Sequence, residues 1–293
     1  MYLWLLTYLL RIYAIIKTIL NPHIQPFMFK YFITFLLLLD FVNPSQTKIT
    51  VRFESLDFSD AQYDDYAPMP YKDGILFVSS SRTKSNYTGL FFTDFKSSPK
   101  MIEAKGEKKH VGQTFYDAAN DLVYVTKSSE KNTQSQINLA LYKGKINNFK
   151  IEDLEKLPFC KPQFNYGYAQ IKNDKMLIHT NEYGDFALVI YTLVNHKWTD
   201  PKIIHKEKYP MLNPVFKDDK SIVFASNKPG GMGGFDLYKI VKIEDRWTEE
   251  ATNFKDFNSP QDDLSIIYTD TNQGYIATSR NSETSHIYKF YVE

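Results

Sequence analysis

Short apolar runs that end in serine or threonine recur along the chain, and polar turn residues separate them. The five most similar runs are ILFVSSS at Ile75, LVYVTKS at Leu122, MLIHTNE at Met176, IVFASNK at Ile222 and GYIATSR at Gly274. Runs of this length bounded by turn residues predict β-strands, and no segment after Thr47 shows a long apolar period of 3.6 residues. The chain from Thr47 onward is therefore predicted to be all-β.

Each run belongs to a larger repeated unit. A shorter strand and a polar turn precede it, another strand follows it, and a fourth strand appears in places, as in HKWTDPKII and DRWTEEATNF. Four strands in about 40 to 50 residues are typical of a β-propeller blade. Residues 47–293 are thus predicted to form a single β-propeller with five four-stranded blades. Six blades is the alternative, if segments 96–110 or 144–163 contain weak strands.

The predicted last blade lacks a fourth strand, because the sequence stops after HIYKFYVE. The segment Thr47–Glu54 alternates as a strand and can supply the missing one by pairing with Ser285–Tyr291. Such closure of the ring hides sheet edges that would otherwise template aggregation. We therefore expect the two ends of the propeller domain to meet in one sheet.

Residues 1–46 have a different pattern. From Met28 onward, a positive charge, the apolar run Tyr31–Leu39 and a polar exit follow the layout of a secretory signal peptide. The true start is predicted at Met28, with everything before it an over-called extension, and cleavage after Ser45 leaves Gln46 first. An uncleaved membrane anchor is the alternative and would be the chain's one membrane contact. Either way the protein is expected to be exported, and periplasmic or facing the periplasm.

Composition narrows the classes of function. Aromatic residues make up 16% of the chain, which favours pleated sheets. The 35 basic and 34 acidic residues leave a net charge of +1, so no nucleic-acid surface is expected. One cysteine, Cys160, allows no intramolecular disulfide, and the six histidines form no HxH or HxxxH pair. No metal and no cofactor are expected.

The segment Asn227–Gly234 concentrates four glycines after a proline. A phosphate-binding loop needs Gly-Lys-Ser/Thr leading into a helix, whereas here the loop leads into a strand. The glycines are therefore predicted to form a hairpin in which some have positive φ, and Asp236 is predicted to bond the turn. Met232 either presents an adaptable partner surface or folds back over the blade edge.

Two stretches resemble known propellers. LNPVFKDDKSIVFASNKPGGMGGFDLYKI, with RWTEE after it, resembles the WD-repeat-like motif of TolB-type propellers. SDAQYDDYAPMPYKDGILFVSSSR resembles the opening blade of periplasmic propellers fused to OmpA-type domains, one of which belongs to the type IX secretion and gliding apparatus. The resemblance implies a periplasmic propeller. It is specific at 211–247, fair at 57–82 and 258–280, and weak at 110–205. No OmpA-type segment occurs in these 293 residues, so peptidoglycan binding is not implied.

Candidate site residues fall into three groups. Residues expected to serve the repeat are Asp65, Pro68, Trp198, Pro214, Gly230, Gly231, Gly233, Gly234, Asp236 and Trp247. Residues expected to contact a partner are Asn227, Lys228, Met232 and Arg280. Carboxylates that could act in glycoside hydrolysis, which needs two of them, are Asp64, Asp65, Asp219, Asp262 and Asp263. Because these acids recur beside the blades' first strands, we expect them to cap turns instead.

The predicted function is a non-enzymatic interaction or scaffold propeller that binds a protein partner in the cell envelope, in secretion, outer-membrane or peptidoglycan assemblies. The alternative is a carbohydrate-active hydrolase or a glycan-binding protein on the same fold. An enzyme should bring at least two titratable side chains with perturbed pKa values together in the middle of the ring. A glycan-binding protein should expose aromatic side chains at one mouth of the ring.

Overall fold

The structure, a computed structural model, describes residues 49–60, 62–83, 86–104, 110–129, 131 and 133–293. The compact unit runs from Ile49 to Glu293. The start predicted at Met28 and the cleavage predicted after Ser45 lie outside the described residues. Over the described ranges the chain forms strands and turns, and no helix there has the length and apolar character needed to cross a membrane.

The strands of the described residues follow one another with short connections. In chain order they are β1 (Val51–Ser55), β2 (Asp65–Tyr71), β3 (Gly74–Ser79), β4 (Gly89–Thr93), β5 (Lys100–Ala104), β6 (Val111–Asp117), β7 (Leu122–Ser128), β8 (Leu139–Asn147), β9 (Lys150–Lys156), β10 (Tyr166–Lys172), β11 (Lys175–Thr180), β12 (Phe186–Val194), β13 (Lys197–Glu207), β14 (Leu212–Phe216), β15 (Ser221–Ser226), β16 (Asp236–Ile243), β17 (Arg246–Trp247), β18 (Thr252–Asn253), β19 (Asp263–Asp270), β20 (Gln273–Thr278) and β21 (His286–Val292).

These strands form antiparallel meanders that repeat along the chain. The meanders are β2 to β5, β6 to β9, β10 to β13, β14 to β16 with the short β17 and β18, and β19 to β21 with β1. The recurrent apolar runs form the second strands β3, β7, β11, β15 and β20, whose residues are mostly buried. The first strand of each meander contacts the first strand of the next, in the order β2, β6, β10, β14 and β19, and β19 contacts β2. The all-β prediction is confirmed, and meanders arranged in this way form a β-propeller.

The segments 96–110 and 144–163 each contain a strand. These strands, β5 and β9, are the fourth strands of the first two meanders. They also touch each other in parallel, with Glu103 opposite Lys150 and Ala104 opposite Ile151. This short contact joins the two meanders into one eight-stranded sheet.

The sheet that contains both ends of the compact unit closes as predicted. β1 pairs antiparallel with β21, from Ser55 opposite Tyr288 to Val51 opposite Val292. The Phe53 ring meets the Phe257 ring edge-on, with the ring centroids 6.5 Å apart. β1 therefore contributes apolar packing as well as covering the edge of β21.

Four first strands share a bulge at the same position. The register with the second strand shifts there in β2, β6, β10 and β14. In β2, β10 and β14 the bulge residues Ala67, Tyr168 and Asn213 take φ values of 52°, 61° and 49°. Pro68 and Pro214 follow directly, at bulge positions where a strand tolerates the missing N–H of proline. The bulges leave backbone and side-chain groups available for bonds between neighbouring first strands.

Two such bonds tie β19 to its neighbours. The Asn213 side chain donates from Nδ2 to the Leu264 carbonyl at 2.7 Å. The Ala67 amide donates to Ser265 Oγ at 3.0 Å. The first strands are thus connected by specific hydrogen bonds as well as by packing.

Candidate functional site

The glycine loop between β15 and β16 is held from two sides by carboxylates. Asp236, which is 1% exposed, accepts hydrogen bonds at Oδ2 from the amides of Met232 at 2.8 Å and Gly233 at 3.0 Å. Asp262 Oδ1 accepts from the Phe235 amide at 2.7 Å. The two carboxylates therefore hold the loop backbone through three charge-assisted hydrogen bonds.

The glycines of this loop have two different reasons to be glycine. Gly230 alone among them has a positive φ, 92°. A Cβ on Gly231 would lie 2.0 Å from Asp236 Oδ2, and one on Gly233 would lie 2.0 Å from the Gln261 carbonyl oxygen. The positive φ expected from the sequence is thus found at Gly230. At Gly231 and Gly233 glycine is required instead because neighbouring atoms leave no room for a Cβ.

We expect Gly233→Ala to lower the free energy of unfolding by more than about 1 kcal/mol, because the Gln261 carbonyl cannot move aside without disturbing the next strand. Met232→Ala should leave the melting temperature nearly unchanged, since this side chain is half exposed. Thermal melts of the two variants test the difference. Equal melting of Gly233→Ala and the parent would contradict the close-approach explanation.

The structure separates the four residues expected to contact a partner. Met232 is 51% exposed and Asn227 is also exposed. Lys228 instead donates from Nζ to Glu207 Oε1 at 2.8 Å. Arg280 donates to the Phe257 carbonyl at 2.7 Å and to Asp263 Oδ1 at 3.3 Å. Two of the four residues therefore face solvent and two stabilise the fold.

Buried aspartate–arginine pairs recur in two units. Arg82 forms three hydrogen bonds of 2.7 to 3.0 Å with Asp65, and Arg280 pairs with Asp263. Burial raises the pKa of both carboxyl groups, and hydrogen bonds to the charged form, together with the arginines, oppose this rise. Each arginine also donates to a distant carbonyl, that of Phe58 or that of Phe257. These pairs tie the loop after the second strand to the segment before the first.

The other candidate carboxylates also have partners. Asp64 Oδ1 accepts from the Ser285 amide at 3.1 Å, which joins the first and last meanders. Asp219 forms an ion pair with Lys172 at 2.9 Å. Together with Asp262, these acids serve turns, neighbouring backbones and ion pairs.

A second cluster of charges was missed by the sequence analysis. Glu207 Oε1 lies 2.9 Å from His205 Nε2 and 2.8 Å from Lys228 Nζ. Burial alone would raise the pKa of Glu207. The hydrogen bonds from His205 and Lys228 lower this pKa by more than burial raises it, so the pKa lies below its ordinary value. Glu207 ends β13 and Lys228 belongs to the glycine loop, so no local sequence pattern links them.

Titratable groups with perturbed pKa values also gather near the first strands. The Tyr168 and His179 rings lie 5.8 Å apart. Burial lowers the pKa of His179 to about 4 and raises that of Tyr168 to about 12. Burial, with a smaller effect of Tyr168, raises the pKa of Tyr66. Burial is the main cause of all three shifts, so they report that these side chains are packed inside the fold.

Some buried polar atoms of the described residues have no hydrogen-bond partner. His179 Nε2, Gln113 Oε1 and Asn213 Oδ1 are three of them, and the others are Ser226 Oγ, Asp236 Oδ1, Tyr268 Oη and Ser285 Oγ. Such atoms are costly unless water or a ligand satisfies them. His179, Gln113 and Asn213 all lie on the first or second strand of a meander.

The His179 side chain predicts a pH-dependent stability. Its pKa is lower in the folded protein than in the unfolded chain, so the unfolded chain binds more protons between about pH 6.5 and 4. Stability should therefore fall by about 3 kcal/mol as the pH is lowered through this window. Urea unfolding of the parent and of His179→Phe at pH 7 and pH 4 measures this loss. If the free energy of unfolding falls equally between pH 7 and pH 4 in both proteins, His179 is not the source of the loss.

The two tryptophans of the outer strands pack between neighbouring units. The Trp198 ring lies 6.4 Å from Tyr124 of the second meander. Trp247 packs against the apolar cluster shared by the third and fourth meanders, and it also lines a groove of about 740 Å³.

Cys160 is buried, and burial raises its pKa to about 12, which makes its thiol a poor nucleophile.

Comparison with known proteins identifies the fold. No family model and no curated protein matches the chain. A thermostable family-43 glycoside hydrolase superposes with a TM-score of 0.50 at 9% identity, over 82% of this chain and 92% of that one. TolB from Acinetobacter baumannii gives 0.44 at 10% identity, over 78% and 56%. A puromycin-hydrolyzing peptidase of Mycobacterium tuberculosis gives 0.43 at 12% identity, over 75% and 37%.

By fold, then, the chain is a β-propeller. It spans only 37% of the peptidase and 56% of TolB. The glycoside hydrolase, which it matches over 82% of this chain and 92% of that one, corrects one expectation. The expectation that the chain is not an enzyme was wrong as an inference from its fold, because a protein with the matching fold is a glycoside hydrolase. At 9% identity the likeness shows the fold and transfers no activity.

Proposed function

We propose that the chain is a five-bladed propeller of the cell envelope that binds a protein partner through its glycine loop. The observation that carries this proposal is the exposed Met232 on a loop whose backbone is fixed by Asp236 and Asp262. A methionine side chain adapts to an apolar partner surface. A preorganised loop loses little conformational entropy when the partner binds.

The neighbouring contacts support this assignment. Lys228 anchors the start of the loop to Glu207 and to the Ala251 carbonyl, and Tyr238 donates from its hydroxyl to the Lys228 carbonyl at 3.2 Å. Asn227, at the start of the loop, is exposed like Met232. The proposed contact surface therefore consists of Asn227 and Met232, with Lys228 as a positioning residue.

The resemblance to periplasmic propellers supports a location in the envelope. Mature protein from the native cell should begin near Gln46 in N-terminal sequencing, because the signal peptide is expected to be removed. A mature chain that still contains Met28 would contradict cleavage and favour a membrane anchor.

A photocrosslinking amino acid at position 232 tests the binding surface in living cells. The matched control places the same amino acid at Met101, which is also a methionine, is 50% exposed and lies on β5 of the first meander, outside the glycine loop. We expect one envelope protein to crosslink at 232 and not at 101, and we expect Met232→Ala to weaken capture of that protein by the purified chain. Equal crosslinking at both positions would overturn the proposal.

A further inference from the structure

A groove lies at the opposite ends of the strands from the glycine loop, between the third and fourth meanders. Its volume is about 740 Å³, and it is lined by the turns β10–β11, β14–β15 and β16–β17, by the middle of β13 and by Ile190 and Thr192 of β12. The proposed function leaves this groove unused.

The groove is strongly basic. Five basic and two acidic side chains line it, an excess of three positive charges in a chain whose net charge is +1. Both acids are engaged, Asp219 by Lys172 at 2.9 Å and Asp245 by Lys242 at 3.1 Å. Among the described residues, Lys175 and Arg246 have no acidic partner within 4 Å, and both are exposed. Two positive charges in the lining are therefore left for an anionic ligand.

Apolar surface accompanies these charges. Ile203 is 46% exposed on β13, and Trp247 is half-buried on the facing side. An exposed isoleucine and a tryptophan between cations suit a ligand that combines carboxylates with apolar groups.

The backbone favours a peptide over other anions. Three consecutive residues of β13, Lys202 to Ile204, line the groove. β13 pairs with β12 on one side, and within the described residues no strand pairs with its other side. An open strand edge offers main-chain groups to an extended peptide, while side chains beside the edge select its sequence.

We propose that this groove binds an extended acidic peptide segment of a partner protein. Carboxylates of the segment pair with Lys175 and Arg246, apolar side chains between them contact Ile203 and Trp247, and the segment lies along β13. The proposal is independent of the glycine loop, which lies at the other ends of the strands.

The test measures fluorescence anisotropy of a fluorescein-labelled peptide, EIDEIDEID, with the full chain. A neutral peptide of the same shape, QINQINQIN, is the ligand control. We expect the acidic peptide to bind at least about tenfold tighter, as hydrogen bonds to charged groups would give. Raising the salt from 0.05 to about 0.5 M should weaken its binding.

Variants locate the binding. The double variant Lys175→Glu with Arg246→Glu should lower the affinity for the acidic peptide at least about tenfold. Lys208→Glu with Lys255→Glu makes the same charge change at exposed lysines outside the groove and should leave the affinity unchanged. Circular dichroism melts of both double variants confirm that they are folded.

Three results would overturn the proposal. They are no binding of the acidic peptide by the full chain, equal affinity for the two peptides, and equal loss in the two double variants. An oligogalacturonide of similar charge that binds tighter than the peptide would also overturn it, since the occupant would then be an anionic glycan.

Discussion

Removal of β1 should cost the protein most of its stability. A chain that begins at Asp57 loses the five residue pairs between β1 and β21 and the contacts of Val51 and Phe53 with the last apolar cluster. Truncation of one buried phenylalanine alone costs about 3 kcal/mol, and whole domains are stable by only about 5–15 kcal/mol. We expect a drop of at least about 5 kcal/mol, accompanied by aggregation through the exposed edge of β21.

The control is a chain that begins at Thr47 and keeps β1. Thermal melts and size-exclusion chromatography of the two chains, at equal concentration, measure both effects. If the chain beginning at Asp57 melts at the same temperature and elutes as the same species, β1 does not close the ring in solution. The variant Phe53→Ala should lie between the two, because it keeps the strand but loses the ring that meets Phe257.

Asp263→Ala should be strongly destabilising, because it breaks a buried ion pair. It leaves the Arg280 guanidinium, whose side chain is 13% exposed, without its carboxylate, and it removes the acceptor of the Ser259 amide. Removal of one partner of a buried ion pair costs about 3–5 kcal/mol. Chemical denaturation of the variant against the parent gives the value.

The matched control is Glu155→Ala, which removes one partner of the exposed pair with Lys143. Exposed pairs contribute about 1 kcal/mol or less, so this variant should melt almost like the parent. A combined replacement, Asp263→Leu with Arg280→Met, should recover part of the loss, because no buried charge is then left alone. A loss equal in Asp263→Ala and Glu155→Ala would show that burial of the pair is energetically unimportant.

The strand order could be predicted from the sequence because it follows from local patterns. The second strands are short apolar runs that end in serine or threonine, and each of the five apolar runs forms one. The closing strand was predictable because the last unit visibly lacks one. The fourth strand of the fourth unit was less predictable, since DRWTEEATNF forms two two-residue pieces, β17 and β18, instead of one strand.

The candidate sites were less predictable because their residues meet only in the folded chain. Glu207 and Lys228 lie 2.8 Å apart but belong to different units. The groove is assembled from three turns, the edge strand β13 and part of its neighbour β12. Its one signal in the sequence is the turn KNDK, whose two lysines both line it, and such charged turns are usually solvated. Arg280 was expected at a partner surface because the sequence interpretation did not use the 17-residue spacing that Asp263 and Arg280 share with Asp65 and Arg82.

The parallel contact between β5 and β9 has a consequence for how the molecule opens. The Glu103 amide donates to the Phe149 carbonyl at 2.8 Å, so the first two meanders share main-chain hydrogen bonds. Local opening follows boundaries where few such bonds cross. In hydrogen exchange, amides of β5 and β9 should therefore become accessible together, as one cooperative unit of eight strands. The outer strand of the fourth meander is broken into β17 and β18. Its backbone amides should therefore exchange faster than those of β5 and β9, and independently of them.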